Sequence, residues 1–160
     1  MSISGTSNLH DWVSQVQKIT ATGDVLMSGG DLKGIQSLWV GIDVYSIKSS
    51  KGSIMDGKTY DALKASQFNT ITYQLGRMES VVKQGTDYQL RAQGALTIAG
   101  VTRQVPIDAK ARVLPSGEIE FSGSKQLLMS SFGIAPPTAL LGTLTTGDEV
   151  TITFSVTMGR

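Results

Sequence analysis

Tyr88-Gln89-Leu90-Arg91-Ala92-Gln93-Gly94-Ala95-Leu96-Thr97-Ile98 sets Tyr88, Leu90, Ala92, Gly94, Leu96 and Ile98 against Gln89, Arg91, Gln93, Ala95 and Thr97 in strict alternation. Successive side chains of a strand point to opposite faces, so this run has one buried and one wetted face, as an antiparallel sheet requires. The same period continues downstream. Val105, Ile107, Ala109, Ala111 and Val113 alternate with Pro106, Asp108, Lys110 and Arg112; Val150, Ile152, Phe154, Val156 and Met158 alternate with Thr151, Thr153, Ser155 and Thr157. Shorter versions occur at Leu38-Val40-Ile42-Val44, Ile71-Tyr73-Leu75 and Ile119-Phe121, and weaker ones at Ile3–Ser7 and Lys18–Met27. Ser and Thr together number 34, which with Val and Ile favours strands over helices.

The punctuation between runs agrees. Leu114-Pro115-Ser116-Gly117 has Pro and Gly where a tight turn needs them, and Gly29-Gly30, Lys83-Gln84-Gly85-Thr86, Ala99-Gly100 and Thr146-Gly147-Asp148 mark other reversals. Pro106 belongs near a strand start or at an edge, where its missing N–H is tolerated. One segment departs from period two: over Met55–Ala65, Asp56 is a candidate N-cap, Tyr60 and Leu63 share a helical face, and Lys64 suits the C-terminal dipole, which predicts a short helix. A second irregular stretch, 132–141, is apolar but interrupted by Pro136-Pro137, and reads as an extended crossing followed by a helical turn.

About eight strands of ordinary length, one or two short helices and their loops use up the chain as one domain over residues 1–160. A sheet that wide curls or closes, and closure at about eight strands encloses either packed side chains or one small ligand. An immunoglobulin-like sandwich is the alternative, but it needs fewer strands and leaves the helix without a place. The formal net charge is +1, with 7 Lys+Arg against 7 Asp+Glu in residues 1–80 and 7 against 6 in residues 81–160. That balance argues against a nucleic-acid binder. With 40% hydrophobic and 17% charged residues the chain is not of the disordered class, and no apolar run exceeds three residues, so no segment is expected to span a bilayer. Cysteine is absent, by chance or because a stray thiol is a liability in an oxidising compartment. Met1-Ser2-Ile3-Ser4 leads directly into patterned sequence with no basic start or apolar run of a signal peptide.

Aromatic residues make up only 6% and glycines number 18, which is thin filling for such a core. Ala92 and Gly94, Ala109 and Ala111, and then Gly123 after Ile119 and Phe121 place small residues at the centres of adjacent apolar faces. Voids in a core are costly, so either close packing of another element or a ligand must use that space.

Gly94-Ala95-Leu96-Thr97-Ile98-Ala99-Gly100-Val101-Thr102-Arg103 resembles the Gly-x-Leu-Thr-Ile-x-Gly-Val-Thr-Arg signature of the YceI-like, polyisoprenoid-binding family. Ser46-Ile47, Met55-Asp56, Leu63-Lys64, Phe68, Ile71-Thr72-Tyr73, Phe132-Gly133-Ile134 and Gly147-Asp148-Glu149-Val150 resemble further family positions in the same order, over roughly residues 3–158. The resemblance implies an all-β fold, an extended lipocalin-like antiparallel barrel, around an elongated apolar tunnel. It also implies a long isoprenoid ligand, a polyprenyl phosphate or a quinone tail, and a periplasmic or secreted protein whose signal peptide has been removed. Ser130-Ser131 stand where many relatives have Arg-x-Asp, and Leu9-His10-Asp11-Trp12 replaces the more usual Phe-x-Val-x-His, so any headgroup contact through that Arg is not carried over.

The residues point to binding rather than catalysis. His10 is the only histidine, its neighbour Asp11 would point to the other face of a strand, and there is no Gly-x-Ser-x-Gly elbow. No catalytic residue, metal site or required cofactor is expected. The lining candidates, on the inward parity of each run, are Val40, Ile42, Tyr60, Leu63, Ile71, Tyr73, Leu90, Ala92, Ile107, Ala109, Phe121, Phe132, Ile152 and Phe154. Headgroup candidates are His10, Lys48, Lys51 and Lys58; the lysines otherwise form a solvated face with Asp56 and Asp61 among them. Burial at about 0.8 kcal/mol per methylene makes each isoprene unit worth roughly 4 kcal/mol gross, while one methylene discriminates by only about 1–3 kcal/mol. A carrier with little chain-length selectivity follows. An enzyme acting on a lipid in the same cavity would need an inward polar pair that the alternating runs do not supply; a ligand-free interaction module would use the small residues for packing alone. A free sheet edge would also let two copies pair as a homodimer.

Overall fold

Each of the eight alternating runs becomes one strand, and three short strands, Trp12–Val16, Ile47–Ser49 and Thr138–Ala139, bring the number to eleven among the described residues. The structure, a computed structural model, describes residues 1–159. The strands are β1 (Ser2–Ser7), β2 (Trp12–Val16), β3 (Ile19–Ser28), β4 (Asp31–Asp43), β5 (Ile47–Ser49), β6 (Thr70–Gln84), β7 (Asp87–Ile98), β8 (Val101–Val113), β9 (Ile119–Leu128), β10 (Thr138–Ala139) and β11 (Leu144–Met158). Helix α1 spans Ser53–Ala62. Gln17 and Lys18 separate β2 from β3, and a 3-10 turn, Val44–Ser46, separates β4 from β5. The two breaks meet: Gln17 N–H donates to the Ser46 carbonyl (3.1 Å) and Lys18 N–H to Ser46 Oγ (3.0 Å). One bent hairpin thereby serves two ladders, β2 pairing with β1 and β5 while β3 pairs with β4.

The hydrogen-bonded order is β3-β4-β6-β7-β8-β9-β11-β1-β2-β5, with β10 attached to β11. Every pairing is antiparallel, and the curled sheet forms the half-barrel of a lipocalin-like fold. The signature run is the β7–β8 hairpin. Ile98 pairs with Val101 across a two-residue turn in which Ala99 (φ 49°) and Gly100 (φ 80°) are both left-handed. A Cβ on Gly100 would also meet the Phe68 ring at 2.6 Å, so the turn and the packing both demand glycine.

Pro106 is tolerated because β8 pairs with β9 only over Lys110–Val113, leaving position 106 with β7 alone. The helix begins earlier than predicted. Its N-cap is Gly52, not Asp56. Asp56 sits buried in the first turn, where its carboxylate accepts the Ser49 N–H at 2.6 Å and lies 3.7 Å from Lys48 Nζ. The stretch after Phe132 crosses extended through β10 and ends in a 3-10 turn at Leu140–Gly142.

Two apolar clusters lie along the inside of the curled sheet. Leu32, Tyr88, Leu90, Ala111, Ile119 and Phe121 close one end; Val44, Ile47, Ile71, Leu96, Phe132 and Ile134 belong to the cluster at the helix end. At the closed end Asp31 accepts from Lys83 (2.6 Å) and Tyr88 (2.9 Å), which lower its pKa to about 2. Arg112, then Lys110, hold Asp87 well below the ordinary carboxylate range. Folded-state pKa values below the unfolded ones stabilise the fold at pH above about 4, and that contribution is lost as pH falls toward 2. Asp31→Asn is therefore expected to flatten the acid limb of a melting-temperature profile in that window; an unchanged slope would show that Asp31 contributes nothing to acid stability.

Candidate functional site

Between the two clusters lies a cavity of about 540 Å³, inside the range of sites that enclose a drug-sized ligand. Its wall is overwhelmingly apolar. Thirteen of the fourteen lining residues predicted from alternation reach it: Val40 and Ile42 from β4, Leu63 beyond α1, Ile71 and Tyr73 from β6, Leu90 and Ala92 from β7, Ile107 and Ala109 from β8, Phe121 from β9, Phe132, and Ile152 and Phe154 from β11. The exception is Tyr60. Its hydroxyl donates to the carbonyls of Tyr45 (2.9 Å) and Ile47 (3.1 Å), and its ring meets Tyr45 edge-on at 5.0 Å, so it lies outside the cavity wall. A phenol needs a partner for its hydroxyl, and the end of the 3-10 turn supplies two, which turns Tyr60 away from its helical neighbour Leu63.

The small residues divide into two groups. Ala92 and Ala109 face the cavity, whereas Ala111 is fully buried in the closed end. Gly94 and Gly123, expected to leave space, are instead covered by aromatic rings. A Cβ on Gly94 would stand 2.4 Å from Tyr73 Cζ, and one on Gly123 would stand 2.7 Å from Phe154 Cζ. Gly5 seats Trp12 in the same way, at 2.5 Å. Three of the few aromatic residues thus pack onto a glycine of the neighbouring strand and also line the cavity. The glycines let the aromatics lie close to the wall, so the lumen is wide despite them. Tyr73 carries a cost: its hydroxyl is buried without a hydrogen-bond partner among the described residues, and burial raises its pKa.

Charge is distributed unevenly. Among the described residues the charged side chains lining the cavity are Lys51, Lys58 and Lys125, with His10 at the entrance, and no Asp or Glu lines it. Of the headgroup candidates, His10, Lys51 and Lys58 reach the cavity and Lys48 does not. Lys48 is occupied by Tyr60 (2.6 Å) and Asp56, and the hydrogen bond to Tyr60 raises its pKa. Lys58 Nζ donates to the Thr138 carbonyl (3.0 Å), tying α1 to β10 across the entrance. Ser130 and Asp148 bond to each other, which fixes the turn at Met129–Phe132 without the arginine of many relatives.

Lys125 escaped the sequence reading. It shares parity with Phe121 and Gly123 on β9, pairs across from Ile152, and has no ion-pair partner among the described residues. Extending the alternation past Phe121 would have found it. Ile35 and Met78 also line the cavity, but they lie beyond register shifts at Asp24/Val25 and Leu75/Arg77, where strand parity reverses. A bulge of this kind leaves no mark in a period-two pattern.

A curled antiparallel sheet with one filled end and an internal apolar cavity is a lipocalin-like architecture, the kind that can hold one small ligand. The chain belongs to the YceI-like domain family, which it matches over residues 4–158. The Campylobacter jejuni YceI protein is similar in structure, with a TM-score of 0.71 at 21% identity over 92% of this chain and 84% of that one. Burkholderia cenocepacia BcnA gives 0.69 at 20% identity, over 99% and 96% of the two chains. A polyisoprenoid binding domain from Saccharophagus degradans, implicated in plant cell wall breakdown, gives 0.69 at 11% identity, over 98% and 90%. No curated protein matches.

Proposed function

We propose that this protein binds and carries an isoprenoid lipid with an anionic head, such as a polyprenyl phosphate, without chemically transforming it. The observation that carries the reading is a preformed apolar cavity whose lining charges are all cationic. Family membership and the polyisoprenoid binding domain among the similar structures support the isoprenoid. An unpaired lysine in an apolar wall is costly until an anion reaches it, so Lys125 favours a phosphate over the uncharged head of a quinone. The polar groups of the wall are scattered, and the Ser7 hydroxyl is taken up by the main chain of His10, at 2.6 Å from its carbonyl. That arrangement supports binding without turnover. A periplasmic or secreted location fits the absence of cysteine.

Organic extraction of purified protein, followed by mass and ultraviolet spectra, is expected to release an isoprenoid at near-stoichiometric yield. A clean extract combined with no uptake of added polyprenyl phosphate would sink the proposal. Lys125→Glu is expected to weaken polyprenyl phosphate binding by about tenfold or more while leaving uncharged polyprenol binding within a few-fold. Equal losses for both lipids would remove Lys125 from the headgroup site.

A further inference from the structure

The four most exposed large apolar side chains among the described residues are Leu141 (106%), Ile54 (79%), Leu140 (73%) and Leu9 (69%); the next, Val82, is at 50%. All four come from segments at the cavity entrance. Leu9 precedes His10, Ile54 precedes Met55, and Leu140 and Leu141 follow Ala139, and His10, Met55 and Ala139 all line the cavity. Hydrogen bonds hold these segments together. Asn8 donates to the Thr143 carbonyl (2.8 Å) and accepts the Thr145 N–H (3.0 Å), while Lys58 reaches Thr138 from the helix.

Leu140 and Leu141 are moreover both left-handed, at φ 51° and 57°. Bulky residues rarely adopt that conformation, and the turn the two form, closed by the Thr143 N–H and hydroxyl on the Leu140 carbonyl, leaves both leucines in water. Clustered, fully exposed leucines are uncommon on a protein that has no partner for them. The charges at the entrance favour one partner. Among the described residues Lys51 and Lys58 line the cavity at this end and no carboxylate does; Asp56 is bonded to the Ser49 N–H, Lys58 to the Thr138 carbonyl, and Asp11 and Asp61 are exposed beside them, which leaves Lys51 as the free cation on the wall there. Exposed apolar side chains beside lysines match the boundary between acyl chains and lipid phosphates.

We infer that the rim of the cavity docks on a phospholipid bilayer, with Leu9, Ile54, Leu140 and Leu141 entering the interface and Lys51 and Lys58 meeting the lipid phosphates. An isoprenoid then passes from the membrane into the cavity without crossing water; this transfer step, unlike the docking, rests on the lipid-binding function proposed above.

Flotation with vesicles of phosphatidylethanolamine and phosphatidylglycerol, three to one, tests it. Wild-type protein is expected to float. The double substitution Leu140→Asn, Leu141→Asn is expected to lower vesicle partitioning by about tenfold or more, because insertion scales with buried apolar area. Asn tolerates the left-handed region, so the same variant is expected to melt no lower than wild type, which separates a docking role from a structural one. Val82→Asn, at the far end of the barrel, is expected to float like wild type. Wild type that stays in the dense fraction, or a double variant that floats unchanged, overturns the proposal. So does a wild-type dimer that the double variant dissolves without any vesicle binding, which would make the rim an interface between copies. Polyprenyl phosphate offered in detergent micelles separates the two readings. If wild type and the double variant load equally, the cavity function stands whatever flotation shows; if neither loads, that function fails while flotation still decides docking.

Discussion

Ala109→Trp is expected to abolish isoprenoid uptake, by about a hundredfold or more, while the protein keeps its fold and melts close to wild type. Ala109 faces the cavity at the centre of β8, so an indole there enters open space that the ligand would otherwise occupy. Ala111 provides the contrast. It lies two residues along the same strand on the same face but is 0% exposed within the cluster of Leu32, Tyr88, Leu90, Ile119 and Phe121. Ala111→Trp has nowhere to go and is expected to cost about 3 kcal/mol or more, the upper range for overpacking a filled core. Binding of polyprenyl phosphate and thermal unfolding, measured on both variants, check the pair. Equal destabilisation by the two would mean that the interior is packed at Ala109 as well and that the cavity does not exist as a binding site.

Gly94→Ala is expected to destabilise the protein by about 3 kcal/mol, far more than one methyl group ordinarily does. Its Cβ would lie 2.4 Å from Tyr73 Cζ, 2.5 Å from the Tyr73 hydroxyl and 2.6 Å from the Gln74 carbonyl oxygen. The first two contacts could be relieved by moving the ring, but the third is backbone in the β6–β7 ladder and moves only if the register gives way. Adding Tyr73→Leu to Gly94→Ala should therefore recover only part of the loss. Gly57→Ala serves as the control: a Cβ at this helical position meets nothing within 4 Å, and it should raise stability by up to about 1 kcal/mol. Urea unfolding of these variants separates the outcomes. A neutral Gly94→Ala would show that Tyr73 does not lie across Gly94 in solution.

Most of the curled sheet was legible because its long strands are half-buried and obey a period of two over most of their length. The inward parity of Leu90, Ile107 and Ile152 follows from that period alone, and so does their place on the cavity wall. What was not legible traces to local departures from the period. The breaks at Gln17-Lys18 and Val44–Ser46 hid β2 and β5, and the register shifts in β4 and β6 hid Ile35 and Met78. Gly94 and Gly123 were read as empty volume because a sequence does not show that a ring from the next strand rests on them. Tyr60 was drawn to the cavity by its spacing from Leu63, and the carbonyls that hold its hydroxyl elsewhere come from residues 13 and 15 positions away.

The pairing of β1 with β11 joins Ser2 to Thr153 and Ile3 to Ile152, so β1, matched on one side by β2, finds its second neighbour about 150 residues away. β11 also supplies the partner of β9 from Glu149 to Met158. While the chain is being made, β1 has β2 on one side but keeps its other edge unpaired through the whole of β3 to β9, and no stretch that stops short of β11 completes the wall. Contacts of such sequence separation are slow to form, because a long loop must close before they return any stability. Completion of the sheet thus waits on β11, and until then the half-built sheet leaves unpaired edges for which a chaperone would compete.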